Sequence, residues 1–248
     1  MSLLGYSALF VVGFVAAVIN VIAAGGSFLT LPLLIFLGLP ASVANGTNRV
    51  GVLAQNVSAV IGFHGHDALP LKWAISVSIP AMVGAAIGAW AALSVPDDAF
   101  RRILSIVMLA VAFLTLLHRG LKGERRSEPQ HAWHWTMVVG FFLTGLYGGF
   151  IQAGVGFLAL AVTTLAGLDL VRGNAVKVFA VMLLTVLSLA VFAGTGHVDW
   201  PAGIALAFGN ILGGIVGVRV AVLKGQKWLE HAVTGTIVVF AVLLWVTG

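Results

Sequence analysis

Cysteine is absent from the 248 residues, so no disulfide, thiolate metal site or cysteine nucleophile is available. Charge is nearly as scarce. Asp, Glu, Lys and Arg make up 8% of the chain, against roughly a quarter in soluble domains, too few for a water-soluble surface. The eight acids, Asp67, Asp97, Asp98, Glu124, Glu128, Asp169, Asp199 and Glu230, all lie in loops or at their edges. Proton coupling through a membrane carboxylate is therefore disfavoured. The motifs G-x-x-x-x-G-K-[ST], H-E-x-x-H and G-x-S-x-G are missing too. ATP hydrolysis and the common hydrolase chemistries lack their residues, and the chain is expected to be no enzyme and to need no cofactor or metal.

What is present is apolar: 60% of residues are hydrophobic and the mean hydropathy is +1.09. Apolar runs fall near 3–23, 28–38, 43–63, 70–93, 99–118, 134–151, 156–167, 173–195, 200–223 and 229–247. Helices are required, because backbone facing lipid must satisfy its own hydrogen bonds. The fold class is an all-α polytopic membrane protein with eight to ten membrane segments. The first run has no basic leader and no convincing cleavage site, and reads as a retained segment. The sequence pI near 10.1 comes from basic residues scattered among loops, the ordinary bias of membrane proteins, so the partner is a lipid bilayer and not nucleic acid.

One polar stretch, HRGLKGERRSEPQHAWH at 118–134, separates five runs from five. It divides the chain into a first membrane repeat at 1–118, a connector at 119–133 and a second repeat at 134–248. The halves resemble each other: AGGSFL at 24–29 matches AGVGFL at 153–158, LGL at 37–39 matches AGL at 166–168, and GAAIG at 84–88 matches GGIVG at 213–217, each at an offset of 129 residues. Ala44-Asn45 also answers Gly173-Asn174, and Gly65-His66 answers Gly196-His197. The second run of each half reaches only ~18 Å, short of the ~30 Å hydrocarbon core. Each is expected to form a hairpin with a Gly-rich tip inside the membrane, or else to be a tilted helix.

A hairpin followed by three spans crosses an odd number of times, so the halves are expected to be inverted about an axis in the membrane plane. A cytoplasmic connector places most Lys and Arg inside and leaves Arg101 and Arg102 outside, with both termini external.

Inversion brings the tips, Ala24, Gly25, Gly26 and Ser27 with Gly154 and Gly156, toward one midplane site. Each tip precedes a helix N-terminus, whose free N–H groups and positive dipole end suit an anion. Close packing of helices is the other use of such glycines. Polar residues gather near the same elements: Asn20, Asn45, Thr47, Asn48 and Arg49 in the first half, Gln152, Asn174 and Lys177 in the second. Arg49 and Lys177 would either serve an anion path or snorkel to the headgroups. His64, His66, Asp67, His197 and Asp199 fit no metal spacing and read as interfacial caps. Trp73, Trp133, Trp135, Trp200, Trp228 and Trp245 read as interface anchors.

AAGGSFLTLPLLIFLGLPASVANGTN with the GHDALP loop, and GGFIQAGVGFLALAVTTLAGLDLVRGNAVKVF with TGHVDW, resemble the TauE/SafE sulfite exporter family over nearly the whole chain. The resemblance implies a polytopic carrier of sulfite or an organosulfur anion such as sulfoacetate in a bacterial inner membrane. Asn20 and Ala23-Ala24 stand where the family often has glycine. The expected function is therefore a secondary transporter of a small anion by alternating access. An anion channel with a Gly-rich filter and a non-transporting membrane subunit are the alternatives.

Overall fold

The computed structural model describes residues 1–117 and 134–247, with the backbone alone for 23, 105, 108–109, 111–117 and 224–247. The expected connector lies outside the described residues. Nine helices and no strand occur among them: α1 (Leu3–Ala23), α2 (Ser27–Phe36), α3 (Ala41–Gly65), α4 (Leu71–Leu93), α5 (Asp97–Leu117), α6 (Trp135–Phe150), α7 (Val155–Leu165), α8 (Leu170–Gly194) and α9 (Trp200–Thr247). The first eight start within three residues of the apolar runs. The last two runs differ from expectation, since 200–223 and 229–247 belong to one continuous helix of 48 residues. The stretch between them, KGQKW, contains no proline, and a single glycine costs a helix only about 1 kcal/mol, so nothing local ends it.

Among the described residues, four helices are long and apolar enough to cross a membrane: Leu3–Ile22, Leu71–Leu93, Leu170–Gly194 and Trp200–Leu223. Large apolar side chains face outward, among them Leu4, Phe36, Ile61, Trp90 and Leu223, each more than 60% exposed. That is an inside-out pattern for water and a natural one for lipid. Trp135 and Trp200 open α6 and α9 and are exposed, as membrane-interface anchors would be, while Trp73 packs on the core. Trp133, Trp228 and Trp245 lie outside the described side chains.

Glycine decides which helices pair. Gly84 and Gly88 of α4 rest directly on the carbonyls of Phe142 and Leu146 in α6, and Gly145 and Gly149 return the contact on Ala81 and Ala85. A β-carbon at any of the four would overlap backbone. Gly209 and Gly213 of α9 rest in the same way on Phe10 and Phe14 of α1. In both pairs the residue numbers rise together, so the helices run parallel. Gly203 packs on Val50 and Gly214 on Gln55, which sets α3 parallel to α9. The matching segments GAAIG and GGIVG thus do the same work, each docking the fourth helix of one half against the first helix of the other.

Helix ends are capped by acids at the loops. The Asp199 carboxylate accepts from Ala202 N at 3.0 Å at the start of α9, and Asp169 accepts from Val171 and Arg172 N at the start of α8. Pro40 occupies the equivalent position before α3 and has no side chain to cap with. There Asp97, from the start of α5, takes over, accepting from Ala41 N, Ser42 N and the Ser42 hydroxyl at 3.2, 2.8 and 2.7 Å.

Candidate functional site

Each half contains a helical hairpin whose second arm is short: α2 has 10 residues and α7 has 11. Left-handed backbone turns the chain at both tips, with Ala24 at φ 67° closing α1 and Gly154 at φ 76° opening α7. Alanine reaches that region at a cost, whereas glycine does not. Neither α2 nor α7 is capped by a side chain at its N-terminus, since the cap residues are Gly26 and Gly154.

The two tips touch. A β-carbon on Gly156 would come within 2.8 Å of that of Ala24, and the rings of Phe28 and Phe157, which begin the two short helices, stack with centroids 6.3 Å apart. Gly26 packs on the carbonyl of Ala16, so the first hairpin closes on its own long arm. Close packing is therefore one established use of Gly26 and Gly156.

Around the tips stand the two buried cations. Arg49 on α3 is fully buried; its Nη1 donates to Gly148 O at 3.0 Å and to Gln152 Oε1 at 2.9 Å, and its Nη2 donates to Gly149 O at 2.6 Å. Its guanidinium lies 4.6 Å from the centroid of the Phe192 ring, a cation–π contact. Lys177 on α8, 3% exposed, donates from Nζ to Asn20 O at 2.9 Å and to Val21 O at 3.5 Å. Burial this complete rules out snorkelling for both. Gly148 and Gly149 lie in the last turn of α6, and Asn20 and Val21 in the last turn of α1. Each half thus sends one cation to the C-terminal end of the other half's hairpin arm, where the helix dipole is negative. Asn20 and Gly149 are matching positions at the repeat offset. No carboxylate is buried among the described residues, and the helix ends are what make the two cations tolerable.

Carboxamides complete the surroundings. Asn45 donates to Phe150 O at 2.9 Å and accepts from Gln152 N at 3.2 Å, which satisfies the extended link between α6 and α7. Gln152 donates on to Thr185 Oγ1 at 3.3 Å, and Tyr147 donates its hydroxyl to Ala153 O. Thr30 of α2 donates to Asn48 Oδ1 at 2.6 Å. Asn20 Nδ2 donates to Gln55 Oε1 at 3.0 Å.

Of the residues named from sequence, Asn20, Ala24, Gly26, Asn48, Arg49, Gln152, Gly154, Gly156 and Lys177 belong to this connected centre, and Ser27 begins α2 at its edge, 5% exposed. Asn174 is buried at the start of α8, its Oδ1 without a partner. Thr47 stands apart, because its hydroxyl accepts from Asp199 N at 2.9 Å and holds the loop before α9. Sequence reading missed Gln55, Asn56, Thr185, Tyr147 and Phe192. The first two were findable, since Asn45, Arg49, Val52 and Asn56 recur at helical spacing along one face of α3, with Gln55 beside them. An open groove of about 410 Å³ between α1 and α9, lined by Tyr6, Phe10, Val11 and Phe208, contains none of the candidate site residues.

Residues 9–244 match the sulfite exporter TauE/SafE family. The probable membrane transporter protein ORF9 of a Sinorhizobium species is 32% identical over 226 residues, covering 90% of this chain and 85% of that protein. A probable membrane transporter protein of Haemophilus influenzae is 31% identical over 226 residues, 91% of this chain and 88% of its own. YfcA of Escherichia coli K12, also described as a probable membrane transporter protein, is 30% identical over 223 residues, 90% of this chain and 82% of its own. No solved structure matches. A bundle of lipid-facing helices folded around two touching tips, and a family match across nearly its whole length, make this chain a multi-pass membrane protein that belongs to the sulfite exporter TauE/SafE family.

Proposed function

We propose that the chain moves a small oxyanion, sulfite or an organosulfonate such as sulfoacetate, across a bacterial inner membrane by alternating access around the two tips. The observation that carries this reading is the pair of buried cations, Arg49 and Lys177, set beside the tips with no buried carboxylate among the described residues. The C-terminal ends of α1 and α6 offset roughly half an elementary charge each, and the N-termini of α2 and α7 return about as much. About two positive charges remain for a substrate to meet. The sulfur-containing oxyanion comes from the family.

Alternating access needs two related bodies that rock about a fixed centre. Exchange of partners supports it: α6 lies along α4 and α1 along α9, and Arg49 and Lys177 each hold the opposite half's helix end. Inversion of the repeats 1–118 and 134–248 is supported by Gly46, near the start of α3, which packs on the carbonyl of His197 in the loop before α9. That loop lies at the opening end of α3, whereas its counterpart at His66 follows the closing end. In this reading the connector 119–133 is cytoplasmic, the chain is not an enzyme, and the tips with their polar neighbours bind the anion.

Purified protein in proteoliposomes tests the proposal. Saturable sulfite or sulfoacetate flux with counterflow is expected. Flux without counterflow would replace the carrier by a channel, and absence of both flux and thermal stabilisation by the sulfite and sulfonate series would end the anion reading.

A further inference from the structure

Along α3 the buried polar residues exceed those on α8, its counterpart in the second half. Among the described residues, the buried side-chain donor atoms without a hydrogen-bond partner are Asn48 Nδ2, Arg49 Nε and Asn56 Nδ2, all on α3. Two of these stand beside the tips, whereas Asn56 lies further along α3 and joins the centre only through Gln55.

Asn56 is 2% exposed and follows Arg49 on the same face of α3, ~10 Å further along the axis. Its amide is oriented by a relay: Asn20 Nδ2 donates to Gln55 Oε1 at 3.0 Å, and Gln55 Nε2 donates to Asn56 Oδ1 at 3.3 Å. A relay that passes N–H to C=O at each step ends on an amino group with nothing to give to. The same relay begins beside a cation, because Lys177 Nζ holds the backbone carbonyl of Asn20.

The two halves differ at this position. The position matching Asn56 at the 129-residue offset is Thr185, and Thr185 accepts from Gln152 Nε2. The position matching Gln152 is Ala23, which has no polar side-chain atom. The side-chain pair of the second half has no counterpart in the first. Burying a donor without an acceptor is costly, and such groups in native interiors have an explanation in a bound species or a function.

We propose that Asn56 is a substrate contact that donates from Nδ2 to an oxygen of the carried oxyanion on the Lys177 side of the centre. The inference rests on the oxyanion reading above and adds to it a specificity-determining residue on the first half alone. An uncharged N–H donor near an ammonium suits an oxygen acceptor and is unsuited to a cation.

The test compares Asn56→Leu, similar in size without the donor, and Asn56→Thr, which installs the residue of the matching position and restores a hydroxyl donor. Sulfite is the probe, in proteoliposome flux and in thermal unfolding with and without it. For Asn56→Leu, KM should rise about tenfold or more, the size of one lost hydrogen bond to a charged group. Its sulfite-induced stabilisation should shrink beyond any fall in its sulfite-free Tm, since Leu also deprives Gln55 Nε2 of its acceptor. Asn56→Thr should fall between Leu and wild type. An unchanged KM in Asn56→Leu overturns the contact, and so does a lowered sulfite-free Tm with sulfite stabilisation intact. If the wild type responds to sulfite and the Leu variant responds equally, this inference fails alone; if the wild type shows no response to sulfite or any sulfonate, the anion reading fails with it.

Discussion

Arg49 and Lys177 hold equivalent duties with different side chains, and the difference has consequences. Arg49 spans two carbonyls and Gln152 at once, a fork that only a guanidinium makes, whereas Lys177 places a point charge on one carbonyl at 2.9 Å with a second at 3.5 Å. Arg49→Lys keeps the charge and loses the fork. Transport of sulfite is expected to fall roughly tenfold in kcat/KM, and further in Arg49→Ala, which removes a charge-assisted set worth about 1.5–3 kcal/mol per bond. Lys177→Met should also weaken transport, and flux assays of the three variants at equal protein check the order. Unchanged flux in both Arg49→Ala and Lys177→Met would remove the cations from the mechanism. The two cations were legible in sequence as lone charges in apolar runs. Their partners were not, because backbone carbonyls 99 to 157 positions away leave no mark on residue type. Thr47 was grouped with them by proximity along the chain, yet it sits two residues from Arg49 and so points to a different side of the same helix.

Elements were legible where composition and length agree. The apolar runs gave α1 to α8 with small errors, and the shortness of α2 and α7 followed from the runs themselves. The long helix α9 was not anticipated, because a polar interval in the hydropathy pattern looks like a loop even when its residues tolerate helix. The helix α3 shows the reverse effect. It has 25 residues but is not among the helices apolar enough to cross by composition, since Asn45, Asn48, Arg49, Gln55 and Asn56 face inward. Its polarity is turned to the candidate site and not to an exposed surface. Two predictions belong at this scale. Asp97→Ala removes the carboxylate that caps α3 and should lower stability by about 1–2 kcal/mol while KM for the anion stays the same, read by thermal unfolding beside flux. Gly84→Leu, which drives a side chain into the Phe142 carbonyl, should separate α4 from α6 and abolish the folded monodisperse species on size exclusion. A Gly84→Leu protein that purifies and transports like wild type would refute the close docking of these helices.

For the whole molecule, what matters is direction. α1 and α3 run with α9, and α6 runs with α4. Because the matching helices are α1 with α6, α3 with α8 and α4 with α9, inversion requires the members of each pair to point oppositely in the membrane. The loops at His66 and at Thr195 are then the sharpest markers, for they match in sequence and should open on opposite sides. Absence of cysteine makes the measurement clean, since any introduced thiol is the only one in the chain. With the connector in the cytoplasm, Ser94→Cys and Thr195→Cys should react with an impermeant maleimide added to intact cells, and His66→Cys only in inverted vesicles. All three residues are exposed in loops or at a helix end, so reactivity reports sidedness and not burial. Labelling of His66→Cys and Thr195→Cys from the same side would show the halves to be parallel. The two tips would then enter from one face, and a carrier that exposes its centre to each side in turn would lose its structural basis.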